Sequence, residues 1–223
     1  VITYTRQDGI FDNALFNKAF SIDIIGAGAI GSHIAYLCAK MGCSKIRVFD
    51  YDSIEPHNVS NQIFRKKDVG RLKVEALREI VQDFTDCDIT SVAEKITTAS
   101  SYEPREIVFL AIDSMTGRRE IYETFLKRSL AKWMIESRMG RESSMVYTIR
   151  PALPSHSKGW LAWWYPDEAA ETSVCGSSFS VAYIAADVAA TCVGQMVLAT
   201  RGEVVANSII KGYNPYTVTT DNF

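Results

Sequence analysis

The chain has 223 residues, 47% hydrophobic and 22% charged, which is enough apolar content for one substantial core. Its 26 acidic and 24 basic residues balance to a net charge of −2, which excludes the broad basic surface of a nucleic-acid binder. The five cysteines (Cys38, Cys43, Cys87, Cys175, Cys192) are odd in number and lack framework spacing, so the expectation is reduced thiols in a cytoplasmic protein.

In chain order, a helix is expected over 11–20, followed by the apolar strand Ile22-Asp23-Ile24-Ile25. That strand runs into Gly26-Ala27-Gly28-Ala29-Ile30-Gly31 and a helix over 30–41. In such a turn Gly26 permits the tight bend, Gly28 lets backbone approach a phosphate, and Gly31 lets the helix lie close to the strand. A second strand over 45–50 ends in Asp50, an acid about 20 residues past the last glycine, where a ribose hydroxyl is usually held.

A connection of about 23 residues then leads to Lys73, long enough to suggest function. It carries Asp52, His57, Asn58, Asn61, Gln62 and Arg65. Amides and a lysine gathered beside a phosphate-binding turn suit a nucleoside triphosphate whose pyrophosphate must leave, because developing charge there is met by such groups and a metal.

Beyond it the pattern reads helix 73–84, strands 88–93 and 107–112, helix 117–131 with Arg119 and Glu123 as a solvated pair, and strand 132–136. This alternation predicts an α/β fold, a Rossmann-like, doubly wound, mainly parallel sheet. Residues 144–150 and 159–164 read as strands of a C-terminal antiparallel extension, separated by Pro151, Pro154 and a turn over 155–159. The segment 136–140 reads either as crevice lining or as a surface turn with a salt bridge. Trp160, Trp163 and Trp164 read as one aromatic cluster.

An apolar helix over 178–200 approaches membrane-spanning length, but Asp187 and Gln195 inside it favour burial in the core or at a subunit interface. No linker divides the chain, so residues 1–223 are expected to form one domain, with no membrane span.

Asp113 ends an apolar strand, where ligands of open α/β sheets gather; two readings stand, a Mg²⁺ or nucleotide contact and a helix N-cap. Cys175 also has two readings, a nucleophilic thiolate and a small buried thiol. Of the histidines, His57 is expected to position its loop, His33 to pack and His156 to sit in an exposed turn. Cys87 is expected in a polar turn.

Taken together these motifs resemble the ubiquitin-activating-enzyme-like adenylyltransferases of the ThiF/MoeB/HesA family. The matching residues are Gly26/Gly28/Gly31, Asp50-Tyr51-Asp52, Asn58-Val59-Ser60-Asn61-Gln62, Asp68-Val69-Gly70 before Lys73, Tyr4-Thr5-Arg6-Gln7, and Asp113 with Arg118 after it. The resemblance covers about residues 4–200. It implies ATP- and Mg²⁺-dependent adenylylation of the C-terminal glycine of a ubiquitin-like or sulfur-carrier protein ending in Gly-Gly, and a homodimer. Gly26, Gly28 and Gly31 would cradle the nucleotide and Asp50 hold its ribose. Asp52, Asn58, Asn61 and Gln62 would line the site; Lys73, Arg65 and Arg6 would neutralise phosphate, Arg6 from the neighbouring subunit; Asp113 would hold Mg²⁺. Asn61 replaces the family's usual arginine, with Arg65 a candidate substitute one helical turn on. No C-x-x-C pair is present, so the structural zinc of many relatives is not expected.

Two rivals remain at this level. A NAD(P)-dependent oxidoreductase uses the same glycine turn but leaves the string from Asn58 to Lys73 without a purpose. A catalytically inactive scaffold of the same fold rests on Asn61 alone.

Overall fold

The central strands are apolar on almost every residue, as strands covered by helices on both faces must be. In the computed structural model, which describes residues 2–169 and 180–223, these are β1 (Ile22–Ile25), β2 (Ile46–Phe49) and β4 (Ile107–Leu110). With β3 (Thr90–Val92) and β5 (Trp133–Met139) they pair in parallel. Three antiparallel strands, β6 (Ser143–Ile149), β7 (Ser208–Tyr213) and β8 (Tyr216–Asp221), extend the sheet. The order is β3-β2-β1-β4-β5-β6-β7-β8, so the chain reverses direction of winding between β1 and β4. Ligands of open α/β sheets bind outside the strand C-termini at such a point.

One face is covered by α1 (Asn13–Ala19), α2 (Ala29–Lys40), α3 (Lys73–Phe84) and α6 (Ala182–Arg201), whose apolar residues join Ile22, Ile24, Val48 and Phe109 in one core. The other face carries α4 (Met115–Ile121), continued by a π-helical turn over Tyr122–Leu126, and α5 (Pro154–Leu161). α6 is apolar and long enough to meet a simple membrane-span criterion, yet it packs on α2, β5 and β6 within the chain. Its Asp187 accepts hydrogen bonds from Lys211 Nζ at 2.8 Å and Tyr213 Oη at 2.6 Å, and the helix ends at Gly202 in the left-handed conformation, φ 73°.

Several expectations are corrected. The strand expected over 159–164 is instead the end of α5, up to Leu161, and the turn after it: Pro154 occupies the first turn of α5, where its fixed φ and missing N–H cost nothing. The three tryptophans part company, with Trp160 buried beneath Tyr122, Trp164 half-buried and Trp163 exposed. The helix expected over 117–131 is shorter. Glu123 pairs with Lys127 at 2.7 Å, and Arg119 stacks on Trp164 with its guanidinium 5.1 Å from the ring centre.

Residues 136–139 belong to β5, where Glu136 and Arg138 are buried as an ion pair at 3.0 Å, so the surface-turn reading is replaced by a buried strand. Cys87 is buried, its thiol pushed up to about 11 by desolvation and by Cys43 and Asp88. His156 sits half-buried in α5, its Nδ1 accepting from the Arg150 amide at 3.1 Å. His33, as expected, packs, with its Nδ1 against Ala29 O at 2.7 Å.

Candidate functional site

The glycine turn is set by close approach of backbone to backbone. Gly26 has φ 97° and donates its N–H to Phe49 O at 2.8 Å; a Cβ there would lie 2.6 Å from Ala111 O. A Cβ on Gly31 would lie 1.9 Å from Gly26 O. Gly28 differs, because a Cβ there would meet no atom within 4 Å. Space therefore opens above Gly28 at the start of α2, where the first-turn N–H groups have no partner in the helix. Such a terminus favours an anion.

Asp50, at the end of β2, accepts from Ala27 N at 2.7 Å and from Asp52 N at 2.9 Å, so it braces the glycine turn itself. Burial pushes its carboxyl above the ordinary carboxylate value, against the opposing pull of Lys73 and those two amides. The long connection after it folds back on itself through a bridge between Ser53 and Leu72, and Lys73 N donates to Asp52 O at 3.0 Å. The return brings the largely buried Lys73 ammonium to 2.8 Å from the exposed carboxylate of Asp52. Within the connection, buried Asn58 accepts from Glu55 N at 2.9 Å and thereby shapes the loop. His57 is exposed, 3.4 Å from Glu55.

Asn61 and Gln62 are half-buried, each with a side-chain oxygen shielded from solvent and lacking a donor among the described residues. Asn61 Nδ2 donates to Ser180 O at 3.5 Å. Arg65 is placed elsewhere, which corrects its expected role as a substitute for Asn61. The stretch between them is not helical, and the Arg65 guanidinium is held by buried Asp68 at 2.8 Å, Glu79 at 2.7 Å and Asp83 at 2.7 Å. Glu79 and Asp83 sit about 9–15 Å along α3 from Lys73, away from the crevice.

Asp113 follows β4 next to the glycine turn and is exposed. The N-cap role open to it falls instead to Ser114, whose Oγ accepts from Gly117 N at 2.9 Å. Asp113 makes no hydrogen bond or ion pair among the described residues, so its carboxylate is available to a ligand.

Arg6 is at the far end of α2. Its short 3-10 turn, Thr5–Gln7, packs where Gln7 Nε2 donates to Met41 O at 2.8 Å, about 18 Å from the turn at Gly28. Cys175 lies outside the described residues. The other four cysteines are buried, and Cys38 and Cys192 have raised thiol values, Cys38 chiefly through its hydrogen bond with Cys43 and Cys192 chiefly through burial.

Two buried polar groupings escaped the sequence reading. Asp23, inside β1, accepts bidentately from Arg47 at 2.9 Å and from Tyr102 Oη at 2.9 Å; a lone acid in an apolar run was the available signal. On the α4 face, Glu136 pairs with both Arg118 and Arg138 and accepts from Trp160 Nε1 at 3.1 Å, while Arg118 Nη1 reaches Ser137 O at 2.7 Å. Among the described residues no group of three or more His, Cys, Asp and Glu side chains has the geometry of a protein-only metal cage.

The crevice thus combines an α/β sheet with a glycine turn, an acid after β2, a returning lysine and an acid after β4. The chain belongs to the ThiF family, which it matches over residues 13–222. It is similar to ubiquitin-like modifier-activating enzyme 5 of Dictyostelium discoideum, with 27% identity over 168 residues, 68% of this chain and 43% of that protein. It is also similar to the NEDD8-activating enzyme E1 catalytic subunit of the same organism, with 34% identity over 113 residues, 49% of this chain and 25% of that one. The chain thus spans less than half the length of these curated relatives. Among solved structures, E. coli MccB with AMPCPP and MccA superposes at a TM-score of 0.70 with 16% identity, covering 94% of this chain and 65% of that one. PaaA superposes at 0.71 with 17% identity, covering 94% and 75%. At such identities the likeness shows the fold.

Proposed function

We propose that the chain adenylylates a carboxylate, the C-terminal glycine of a ubiquitin-like or sulfur-carrier protein, at the expense of ATP. A carboxylate oxygen of the tail forms a bond to the α-phosphorus as the bond from that phosphorus to the bridging oxygen breaks, giving an acyl-adenylate and pyrophosphate. The observation that carries the reading is the convergence of three features on the β1–β4 crevice: open space at Gly28, the ammonium of Lys73, and the carboxylate of Asp113, which has no partner among the described residues. A dinucleotide oxidoreductase accounts for the first of these alone.

In this reading the amides of the α2 N-terminus and Lys73 take the phosphates, and Asp50 takes the ribose with the lone pairs left by its two backbone donors. Asn61 and Gln62 offer carbonyl oxygens that lack donors. Asp113 suits Mg²⁺, which takes one or two carboxylates together with substrate phosphate oxygens. Bound there, the ion neutralises charge on the phosphates. Arg6 cannot reach its own chain's glycine turn, which supports a homodimer in which each copy supplies Arg6 to the other's site. α6 adds no separate argument for that dimer, since it packs on α2, β5 and β6 within the chain.

The test is ATP–pyrophosphate exchange with peptides or carriers ending in Gly-Gly, alongside thermal shift with Mg·ATP and with NADH. Exchange that depends on the tail, with stabilisation by Mg·ATP, is expected. Stabilisation by NADH and none by ATP overturns the proposal.

A further inference from the structure

Among the described residues no hydrogen bond holds the Asp113 carboxylate, and its aim is set by the backbone on either side of it. That backbone is gripped from below and above. Below, Arg118 Nη2 donates to Ile112 O, the residue before Asp113, and Arg118 is itself seated on Glu136. Above, a carboxylate arrives from a distant part of the chain: Asp167 accepts from Ser114 Oγ at 3.0 Å, from Thr116 N at 3.3 Å and from Met115 N.

The connection carrying Asp167 is anchored twice more. Trp164 Nε1 donates to Met115 O at 3.2 Å, and Arg138 Nη1 donates to Trp163 O at 2.6 Å. The segment 163–167 therefore holds the Ser114 hydroxyl, the N–H groups of Met115 and Thr116, and the carbonyl of Met115.

We propose that Asp167 is a positioning residue for Asp113, fixing the carboxylate that the adenylylation reading assigns to Mg²⁺. The inference rests on that reading. Asp167 touches neither nucleotide nor metal; it acts by holding residues 114–116, in the way outer partners of a metal ligand set the ligand's geometry. Although burial pushes its carboxyl up, its bonds from Thr116, Met115 and Ser114 prevail and hold it below the ordinary value, so it remains a charged acceptor at neutral pH.

The test compares wild type with Asp167→Ala, Asp167→Asn and Trp164→Phe. Three quantities are read: amide hydrogen exchange at Met115 and Thr116 without ligand, calorimetric ATP affinity as a function of Mg²⁺, and the melting temperature. In Asp167→Ala the two amides should exchange faster, and the Mg²⁺ concentration giving half the affinity gain should rise about 10- to 100-fold, with excess Mg²⁺ restoring ATP affinity. Asp167→Asn keeps an oxygen acceptor and should recover most of the effect. Trp164→Phe keeps the ring, removes one bond to Met115, and should move the Mg²⁺ midpoint in the same direction by less; it decides the matter if Asp167→Ala does not fold. Faster amide exchange with an unmoved Mg²⁺ midpoint overturns the inference. If wild type itself gains no ATP affinity from Mg²⁺, the adenylylation reading fails and takes the inference with it, a result recognisable because the wild-type control is what fails.

Discussion

Replacing the three glycines of the turn one at a time by alanine separates what the fold needs from what a ligand needs. At Gly26 the new Cβ would stand 2.6 Å from Ala111 O on a residue with φ 97°. The left-handed backbone costs an L-residue about 1–2 kcal/mol, and forcing a methyl into packed backbone costs about 1–3 kcal/mol. The sum is roughly 2–5 kcal/mol, or a melting temperature lower by about 5–15 °C for a domain of this size. Gly31→Ala has no backbone penalty, but its Cβ would be 1.9 Å from Gly26 O, so it should fall in the same range through displacement of the turn. Gly28→Ala meets nothing and loses only the N-cap preference of glycine over alanine, about 1 kcal/mol or less. Its melting temperature should hold within about 3 °C, while on the proposed reading its affinity for Mg·ATP should fall at least about tenfold, or 1.4 kcal/mol, because the methyl would occupy the space that reading gives to phosphate. Thermal melts and calorimetry on the three variants measure both effects. A Gly28→Ala protein with wild-type affinity would show that the phosphates do not approach this turn, and a Gly31→Ala protein as stable as wild type would refute the steric argument.

Arg65→Ala should lower stability by about 1–3 kcal/mol, because buried Asp68 loses the guanidinium and keeps only Arg71 and the residue-65 amide, yet keep Mg·ATP affinity within about threefold. A larger loss of affinity than of stability would return Arg65 to the site. Asp187 sits below the ordinary carboxyl value because Lys211 and Tyr213 outweigh its desolvation. Its contribution is therefore present above about pH 4 and lost as pH falls through the lowered folded value. Asp187→Asn should cost about 0.5–1 kcal/mol at pH 7, discounted for partial exposure, and the gap to wild type in melting temperature should narrow as the pH is lowered below about 4; a gap independent of pH refutes the pairing. Cys38, Cys43, Cys87 and Cys192 should resist iodoacetamide at pH 8 in the native protein, being buried, with the Cys38, Cys87 and Cys192 thiols shifted away from thiolate. Peptide mapping that finds rapid labelling of any of the four contradicts this.

The parallel half of the sheet was legible because its signals are local: apolar runs such as Ile107–Leu110, a glycine turn in strand–helix context, and helical periodicity over 73–84. The grouping of Asp50, Asp52 and Lys73 was legible for the same reason, since one connection carries all three. What was misread depends on distant partners. Sequence neighbours alone leave Arg65 as a candidate substitute for Asn61, whereas Glu79 and Asp83 reach it from the exposed flank of α3. Residues 159–164 looked like a strand because their aromatic content suits one, whereas the burial of Trp160 under Tyr122 and its bond to Glu136 favour α5. Asp167 carried no sequence signal, because its meaning comes from an α4 N-terminus more than fifty residues earlier.

The ion pair between Lys73 and Asp52 has a consequence for discrimination among nucleotides. Among the described residues, the crevice carries three carboxylates, Asp50, Asp52 and Asp113, against the Lys73 ammonium, which is already matched to Asp52. On the proposed reading, a triphosphate entering alone would bring its charges into a site that is itself anionic, and Coulomb repulsion at short range opposes this. Electroneutrality is approached when the polyanion arrives with its own cation and Lys73 changes partners from carboxylate to phosphate. The pair therefore favours the metal-chelated triphosphate over the bare anion, and it does so by cancelling the lysine's attraction until a better-matched charge displaces Asp52.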